Sequence, residues 1–391
     1  MKDNSSYHLH SLEALAAADK ALAYAGTLEF DGPTQLKQLD KNWFEQVFST
    51  TTTAAKLESI DVVDSHDGMT CRQKIKLNWH SENAATGLPT SIFLKATPPT
   101  GHLRETLAML HMHELETRFY TELQPELTHI APKAFYAKAY AGGNFLMALE
   151  DIETLGYTPY WQADVVGLDH VKAVTIALAS LHARYWESER LEQDLHWVRP
   201  RTRRLGWTWL RDSFTKARAE YLKTAPEELL VNGAADALSF WNTHASETFD
   251  QWEQLPSTVL HGDSHLGNTF SRPDGSAGLF DWQVMFRGNG LRDLCYFNFS
   301  AMDNQTRVQH EAAIFDVYLD ALVEHGGPIL NREQAWNDYC LFAFDYWDAG
   351  IKAYIYGYGH ANEGTVRGLK SCIGSITDND SLTRLKVALA N

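Results

Sequence analysis

A polar segment about two-thirds along the chain contains the residues best suited to chemistry. It reads His261-Gly262-Asp263-Ser264-His265-Leu266-Gly267-Asn268, and Asp281 follows it. Between them, Pro273-Asp274-Gly275 is a turn signal, because proline presets φ and glycine tolerates positive φ. The runs that flank this turn are predicted to pair as a hairpin, which would bring Asn268 beside Asp281, with Asp263 in the loop just before. Carboxylate and amide oxygens are hard ligands, so the segment predicts a site for Mg²⁺ bridging phosphate oxygens.

Phosphoryl transfer is the chemistry that such a set of groups would suit. It needs an acceptor that orients the attacking hydroxyl, oxygen ligands for the metal and a lysine on the phosphates. The run Ser91–Ala96 reads as a mostly apolar strand that carries one lysine, Lys95. An ammonium group there is costly to bury unless it is paired, which favours a functional role. The alternative is an edge strand from which the head of the lysine reaches water.

Hydrophobic patterning predicts the elements that must position these residues. The first part of the chain is predicted to be β-rich, with a short helix over 39–48, a strand over Cys71–Trp79 and the strand Ser91–Ala96. The spacing of apolar residues predicts one long helix over 101–123, and 134–149 reads as a hairpin.

The second part of the chain reads as mainly helical. Helices are predicted over 170–187, 212–221 and 235–249 and again from Arg307 to the end, with one strand region over 257–282. The composition changes near residue 150, which is the best candidate for a domain boundary. The sequence therefore predicts an α+β protein, with a small β-rich lobe followed by a larger, mainly helical lobe.

The polar segment, followed by Asp281-Trp282-Gln283, resembles the H-G-D-x-H-x-x-N … D pattern of the aminoglycoside phosphotransferase and choline kinase superfamily. It is most similar to the ecdysteroid-kinase-like (CHK kinase-like) branch and its bacterial relatives. The resemblance runs in order over residues 40–390 and implies a two-lobed, protein-kinase-like fold. It implies an N-terminal extension over 1–40, a nucleotide-binding lobe over 41–149, and a lobe over 150–391 with the catalytic loop and acceptor-binding helices.

The resemblance also implies roles for individual residues. Asp263 matches the catalytic base or hydroxyl-orienting group, and Asn268 and Asp281 match the Mg²⁺ ligands. Lys95 matches the lysine that holds the α- and β-phosphates of ATP. Glu116, in Glu-Thr-Arg-Phe-Tyr, matches the glutamate that pairs with this lysine. A solvated glutamate is the alternative for Glu116, and the neighbouring Glu114 competes for its role.

Other matching residues are implied to support the site. Leu149 and Glu150 resemble the hinge whose backbone holds adenine, and Asp293, in Gly-Leu-Arg-Asp-Leu, matches a residue that supports the catalytic loop. His261 is expected to hold the loop backbone, and His265 to contact the substrate or support the loop.

Two departures from the pattern concern the nucleotide. The D-F-G of protein kinases is here Asp281-Trp282-Gln283, which makes a kinase-style flip of this segment improbable but keeps the metal carboxylate. The stretch Ser65-His66-Asp67-Gly68-Met69-Thr70 carries one glycine in place of a glycine-rich loop. Phosphate contact through its backbone N–H groups is therefore only weakly predicted.

Three alternative functions use the same residues. Gly262-Asp263-Ser264 is similar to the Gly-Asp-Ser block of serine esterases, which would make Ser264 a nucleophile. His261, Asp263 and His265 alternate along an extended segment and could ligate a transition metal. A non-catalytic, nucleotide-binding pseudokinase is the third alternative.

Composition excludes several other classes. Asp plus Glu total 50 against 34 Lys plus Arg, so the net charge of −16 has the opposite sign to that expected of a nucleic-acid-binding protein. The cysteines Cys71, Cys295, Cys340 and Cys372 form no CxxC pair, which is typical of reduced thiols in a cytosolic protein. Neither a signal peptide nor a membrane span is visible. We therefore expect a cytoplasmic protein without nucleic-acid or membrane partners.

The sequence thus predicts an ATP- and Mg²⁺-dependent phosphotransferase that acts on a hydroxyl of a small molecule. A steroid-like, aromatic or choline-like alcohol is favoured over an aminoglycoside, which needs a densely acidic site. The C-terminal helices carry many aromatic residues, which we expect mainly to pack, with the remainder forming an apolar or cation-accepting wall of the acceptor site. They are Tyr339, Phe342, Phe344, Tyr346, Trp347, Tyr354, Tyr356 and Tyr358.

Overall fold

The structure is a computed structural model that describes residues 32–49, 54–68, 70–80, 87–98, 102–204, 206–231, 233–357 and 363–390. Most of the predicted N-terminal extension and Tyr358 lie outside this part of the chain. Two compact units can be distinguished. The first contains the described residues up to Tyr157 together with Asp281–Val284, and the second contains those of Thr158–Phe280 and Met285–Asn391.

The first unit is built on a five-stranded antiparallel sheet in the order β1-β2-β3-β5-β4. Helix α1 packs its Phe44 and Phe48 on one face of this sheet, against apolar residues of the first three strands such as Ile75 and Leu94. The predicted short helix, both predicted strands and the hairpin are confirmed. The elements are α1 (Lys41–Phe48), β1 (Leu57–Asp67), β2 (Cys71–Trp79), β3 (Ser91–Ala96), β4 (Ala134–Tyr140) and β5 (Asn144–Glu150).

The single helix predicted over 101–123 is wrong, because the chain forms three shorter pieces there. Helix α2 (His102–Met109) ends before His111, whose φ of 54° lies in the left-handed region, and α3 (Met112–Arg118) follows. The next turn, Phe119–Leu123, is a π-helix. The Thr117 hydroxyl donates to the carbonyl groups of residues 113 and 114 in this stretch, which competes with the regular helical ladder. Apolar spacing stays nearly constant across such breaks, so periodicity alone misses them.

The second unit is mainly helical, with two small antiparallel sheets. One sheet has the order β6-β8-β9 and the other pairs β10 with β7. The predicted hairpin around Pro273-Asp274-Gly275 is confirmed as β8 and β9. The strands are β6 (Thr158–Pro159), β7 (Thr258–Leu260), β8 (Thr269–Ser271), β9 (Ala277–Leu279) and β10 (Phe286–Gly288).

The helices of this unit include the three predicted before residue 250, with slightly different ends. They resume earlier than the predicted Arg307, because α7 begins at Leu291. Every residue of α7 is buried, so the helix lacks the polar face that makes a helix visible in a sequence. The helices are α4 (Leu168–Tyr185), α5 (Trp207–Thr224), α6 (Ala234–Trp252), α7 (Leu291–Ala301), α8 (Asn304–Glu324), α9 (Arg332–Leu341), α10 (Ala343–Tyr356), α11 (Glu363–Asp378) and α12 (Ser381–Ala390).

Short 3₁₀ turns connect these elements. They are Leu36–Gln38, Gln124–Glu126, Ile152–Leu155, Glu189–Glu192, Arg201–Arg203, Glu227–Leu229 and Leu266–Asn268. The α+β class predicted from the sequence is confirmed. Of the helices that the structure describes, none combines the length and the hydropathy that a membrane crossing requires.

The aromatic residues of the C-terminal helices divide into two groups. Tyr339, Phe342, Phe344, Tyr346 and Trp347 are all buried in the second unit. Tyr354 and Tyr356, near the end of α10, are only partly buried. Helix packing therefore accounts for the first group, and the second keeps accessible ring surface.

Candidate active site

A buried lysine, Lys95, lies at the centre of a charge cluster in the first unit. Its Nζ donates to both carboxylate oxygens of Glu116, at 2.8 and 2.7 Å, and to Oδ1 of Asp281, at 2.7 Å. The side chains of Lys95 and Glu116 are 4% and 2% exposed, whereas that of Asp281 is 15% exposed. Since each buried charge has a partner of opposite sign, the cost of removing it from water is partly offset. The structure thus brings together three residues that the sequence singled out.

The sheet explains how Lys95 comes to point at this cluster. Strand β3 lies between β2 and β5, so the edge-strand alternative for Lys95 is wrong. Side chains alternate along β3: Leu94 enters the apolar core, and Lys95 lies on the opposite face, in register with Arg72 of β2 and Met147 of β5. Glu114, the competitor of Glu116, lies instead beside His111.

The protonation of Glu116 depends on these neighbours. Burial raises the pKa of the Glu116 carboxyl, the charge of Lys95 opposes this effect, and the charge of Asp281 adds to it. Lys95 is shared between two carboxylates, so neither is fully compensated by it alone. A carboxylate with a raised pKa next to a lysine is a frequent feature of functional sites.

Asp281 is fixed by its backbone and by the residue that follows it. Its φ is 65°, an uncommon value for a residue other than glycine. The ring of Trp282 is fully buried and stacks on Phe119 of the π-helical turn, with centroids 3.9 Å apart and planes inclined by 8°. This aromatic contact anchors the segment after Asp281, at the point where the sequence departs from D-F-G.

In the second unit, Asp293 supports the backbone of the polar segment. Its carboxylate accepts hydrogen bonds from the N–H of His261, at 2.6 Å, and of Gly262, at 3.2 Å. Its carbonyl oxygen accepts from Ser264 Oγ at 2.8 Å. Arg292 Nη1 donates to Asp293 Oδ1 at 3.0 Å and to the carbonyl of Gly262 at 2.6 Å. The start of α7 is therefore tied to the loop that carries Asp263.

The Asp293 carboxylate is ionised despite complete burial. Burial opposes ionisation, but the nearby His182 and the charge of Arg292 outweigh it and lower the pKa of Asp293 to about 2. The negative charge is thus a permanent part of the loop support at neutral pH.

Asp263 is the partly exposed carboxylate of this loop. Its Oδ1 accepts a hydrogen bond from the Tyr296 hydroxyl at 2.8 Å, and its Oδ2 lies 3.4 Å from Asn268 Nδ2 and 3.6 Å from His265 Nε2. Its side chain is 32% exposed, so a hydroxyl from solution can reach it. Burial and the charge of Asp263 raise the pKa of Tyr296 well above its usual range, so the phenol stays a donor.

Two residues of this loop support, Tyr296 and Arg292, were not predicted from the sequence. Tyr296 stands three positions after Asp293 on α7, a spacing that places two side chains on neighbouring parts of a helix surface. That signal was available, but recognising it required knowing that a helix begins at Leu291.

Asn268 is oriented so that its side-chain oxygen is left open. Its Nδ2 donates to the carbonyl of Asp263 at 2.8 Å, and within the residues that the structure describes its Oδ1 accepts no hydrogen bond. Phe280 N donates to the Asn268 carbonyl at 3.1 Å, and the chain continues directly into Asp281. Mg²⁺ is typically held by one or two protein oxygens together with substrate phosphates. The uncommitted amide oxygen of Asn268 is a ligand of the kind that such an ion takes.

No larger metal cage is present among the described residues: they contain no group of three or more His, Cys, Asp or Glu side chains suited to a metal ion. The ring nitrogens of His261 are engaged by the backbone, since Nε2 lies 3.0 Å from the Phe280 carbonyl and Nδ1 accepts from Asp263 N–H at 3.2 Å. This arrangement disfavours the transition-metal alternative. The esterase alternative is disfavoured as well, because Ser264 is completely buried with its hydroxyl donated to Asp293.

The predicted hinge residues lie at the end of β5. Leu149 pairs with Phe93 of β3 and with Ala134 of β4, and the amide of Glu150 donates to the Lys133 carbonyl at 2.8 Å. The Glu150 N–H is therefore already used within the sheet. Any backbone contact to adenine would have to come from groups at or beyond the Glu150 carbonyl.

Comparison with known proteins places this geometry in a family. The model of the ecdysteroid kinase-like family matches residues 69–327, a range that contains all the predicted site residues. No curated protein matches the chain significantly.

Solved structures that are similar to this chain include those of three proteins. A protein of Ralstonia eutropha JMP134 assigned as an aminoglycoside phosphotransferase shares 13% identity, with 88% of this chain and 97% of that chain covered and a TM-score of 0.51. The choline kinase of Streptococcus pneumoniae (10% identity, 88% and 99% covered) and the ethanolamine kinase of Plasmodium vivax (13% identity, 99% and 97% covered) both give TM-scores of 0.47. The first of these similarities shows a shared fold.

Proposed function

Because this chain belongs to the ecdysteroid kinase-like family, we propose that it is an ATP- and Mg²⁺-dependent phosphotransferase acting on a hydroxyl of a small molecule. The observation that carries the proposal is the buried Lys95–Glu116 pair with Asp281 on the same ammonium group. A lysine held between two carboxylates on a sheet face is what a kinase needs to hold the phosphates of a nucleotide.

The nucleotide is proposed to lie on the face of the sheet that carries Lys95. Phe93 and Lys95 share this face, with Leu149 and Met147 opposite them on β5. Adenine would lie toward the hinge end, near Leu149 and Glu150, and the phosphates toward Lys95. Glu116 would keep the lysine extended, so that its ammonium group meets the phosphates without first having to be ordered.

Asn268 and Asp281 are proposed to hold the magnesium ion. When bound, the ion would neutralise charge on the β- and γ-phosphate oxygens as the phosphoryl group leaves. Asn268 contributes an oxygen aimed by its own hydrogen bond to the loop backbone. Asp281 contributes a carboxylate whose position is fixed by the stacked Trp282.

Asp263 is proposed to orient the acceptor and take up its proton. The acceptor O–H donates to the Asp263 carboxylate while its oxygen forms a bond to the γ-phosphorus; the bond from that phosphorus to the bridging oxygen breaks, and ADP leaves. Tyr296 holds one oxygen of the carboxylate, which leaves the other to face the hydroxyl. Positioning and electrostatics carry most of such a reaction.

The acceptor is proposed to be a mixed or hydrophobic alcohol, such as a steroid-like, aromatic or choline-like molecule. The partly exposed rings of Tyr354 and Tyr356 offer an apolar surface for it. The two buried carboxylates of α10, Asp345 and Asp348, are paired with Arg201 and Arg218, respectively, which leaves them poor binding groups for a polycationic aminoglycoside.

The first prediction concerns Asp263. In an assay of phosphate transfer from γ-labelled ATP to a panel of alcohols, we expect Asp263→Asn to lose activity by about 10³-fold or more, since general-base contributions and orientation are both removed. The variant should still bind Mg²⁺-ATP.

This experiment also separates the proposal from the alternative of a pseudokinase. A wild-type protein that binds Mg²⁺-ATP but transfers no phosphate to any alcohol would favour the pseudokinase. Full activity of Asp263→Asn would refute the role given to Asp263.

A further inference from the structure

We propose that Arg72 is a second phosphate-binding cation of the nucleotide site, an assignment that rests on the proposed function. Arg72 stands on β2 directly opposite Lys95 of β3, so both side chains lie on one face of the sheet. Asp281 lies between them: its Oδ1 is 2.7 Å from Lys95 Nζ and its Oδ2 is 3.5 Å from Arg72 Nη2. The two cationic groups therefore flank the carboxylate that is assigned to the metal.

Arg72 has open donors in this structure, whereas those of Lys95 are all engaged until Asp281 turns to the metal ion. The Lys95 side chain is buried and spends its hydrogen bonds on Glu116 and Asp281. The Arg72 side chain is 36% exposed and makes a 3.1 Å hydrogen bond from Nε to Thr70 Oγ1 beside its long contact to Asp281. Within the described part of the chain, Nη1 of Arg72 donates to no protein group. A guanidinium group with open donors is well suited to phosphate oxygens.

The described residues of the turn before Arg72 offer little else for a phosphate. Backbone N–H groups form an anion-binding concavity when successive residues alternate between right- and left-handed conformations. Gly68, the one glycine of this turn, does not have a positive φ, and its N–H already donates to the Thr70 carbonyl at 3.1 Å. The side chain of Arg72, on the strand that follows, is placed to supply donors for a phosphate beside this turn.

The charges of the cluster lead to the same conclusion. Lys95 and Arg72 together balance Glu116 and Asp281, and Glu116 remains paired with Lys95 inside the protein. When Asp281 turns to a metal ion, Arg72 loses the one salt bridge that it makes among the described residues. A phosphate oxygen of the nucleotide then becomes the natural acceptor for its guanidinium group.

Calorimetric titration of the full chain with ADP and ATP in excess MgCl₂ tests this assignment. We expect Arg72→Gln to weaken binding of both nucleotides by about tenfold to a hundredfold, the range of a charge-assisted hydrogen bond. Arg72→Lys keeps the positive charge but not the several planar N–H donors of the guanidinium group. It should therefore recover part of the lost affinity. Adenosine, measured by displacement of bound ADP from the same variants, should bind as it does to the wild-type protein because it has no phosphate.

A matched control is available on the same strand. Lys76 lies on the same face of β2 as Arg72 but is exposed and further from Lys95, so Lys76→Gln should leave all affinities unchanged. Equal thermal unfolding midpoints would show that the Arg72 variants are folded.

The possible outcomes separate the two proposals. Wild-type affinity of Arg72→Gln for ADP and ATP would overturn the role of Arg72 alone. A parallel loss for adenosine would also overturn it, since it would show that Arg72 only shapes the site. A wild-type protein that binds neither nucleotide would overturn the proposed function, and this assignment with it.

Discussion

Three neighbouring groups surround the carboxylate of Asp263. The Tyr296 hydroxyl lies 2.8 Å from one oxygen, and Asn268 and His265 approach the other from 3.4 and 3.6 Å. A carboxylate free to rotate would present either oxygen to a hydroxyl, in many orientations. Tyr296 removes this freedom, and it does so from α7, whose first turn also carries Asp293. It is therefore a positioning residue rather than a catalytic one.

Replacement of Tyr296 tests this role. We expect Tyr296→Phe to lower kcat by about tenfold, the value of one hydrogen bond to a charged group, while KM for ATP stays unchanged. The loss should appear in kcat alone, because the missing hydrogen bond orients the reacting carboxylate and is not assigned to the nucleotide. A purely structural role would lower stability and leave kcat of the folded protein unchanged.

Tyr136 supplies a control. Its hydroxyl lies 2.8 Å from that of Tyr140 in the first unit, and Tyr136→Phe removes a hydroxyl that lies outside the Asp263 loop. This variant should keep the wild-type kcat. A wild-type kcat in Tyr296→Phe would contradict the positioning role.

At the scale of elements, the π-helical turn Phe119–Leu123 links the two carboxylates around Lys95. Glu116 lies one turn before it on α3, and Phe119 begins it with its ring against Trp282, the neighbour of Asp281. A widened turn is frequent at functional sites, where it re-aims a side chain. The stacked rings of Phe119 and Trp282 therefore connect Glu116 and Asp281 to the same π-helical turn.

Removal of the stacked ring should cost stability and nucleotide binding together. We expect Trp282→Ala to lower the free energy of unfolding by about 3–5 kcal/mol, as for other large buried aromatic residues. Urea unfolding measures this loss, and calorimetry should show weaker Mg²⁺-ADP binding because Asp281 is no longer held. Trp282→Phe keeps an aromatic ring, so it should lose less stability and less affinity for Mg²⁺-ADP than Trp282→Ala. Unchanged ADP affinity in a folded Trp282→Ala protein would contradict the link.

The sequence predicted those elements whose patterns are local. The alternation of Cys71–Trp79 and the turn at Pro273-Asp274-Gly275 are set by neighbouring residues, and both are confirmed. The break at His111 and the start of α7 depend on tertiary packing, and both were missed.

The candidate site follows the same division. The polar loop could be recognised because its residues are close in sequence. Arg72 and Tyr296 could not be recognised in this way, because the residue that each one contacts is far away in the sequence. Arg72 contacts Asp281, and Tyr296 contacts Asp263.

For the molecule as a whole, the buried charge of Asp293 makes stability depend on pH. Its pKa of about 2 lies below the value of about 3.9 for aspartate in an unfolded chain. Unfolding then takes up a proton as the pH falls, so the ionised group stabilises the fold fully above about pH 5, and this stabilisation is lost as the pH falls toward 2.

We therefore expect the free energy of unfolding of the wild-type protein to approach that of Asp293→Asn as the pH falls. The difference in their free energies of unfolding should shrink by about 1 kcal/mol between pH 6 and pH 3. Urea unfolding at both pH values measures it. A difference that grows in acid would contradict the direction of the pKa shift.

The proposed function requires that this protein binds ATP through Mg²⁺ and uses it for phosphoryl transfer. The most direct measurement is a thermal-shift titration with ATP, with and without MgCl₂, on the wild-type protein and on Asp281→Asn. Ligand binding to the native state raises the unfolding midpoint by mass action, so we expect a rise of several degrees that requires Mg²⁺ in the wild-type protein. The Mg²⁺-dependent part of this rise should be lost in Asp281→Asn. A wild-type midpoint that does not move with ATP in the presence of MgCl₂ would contradict the proposed function.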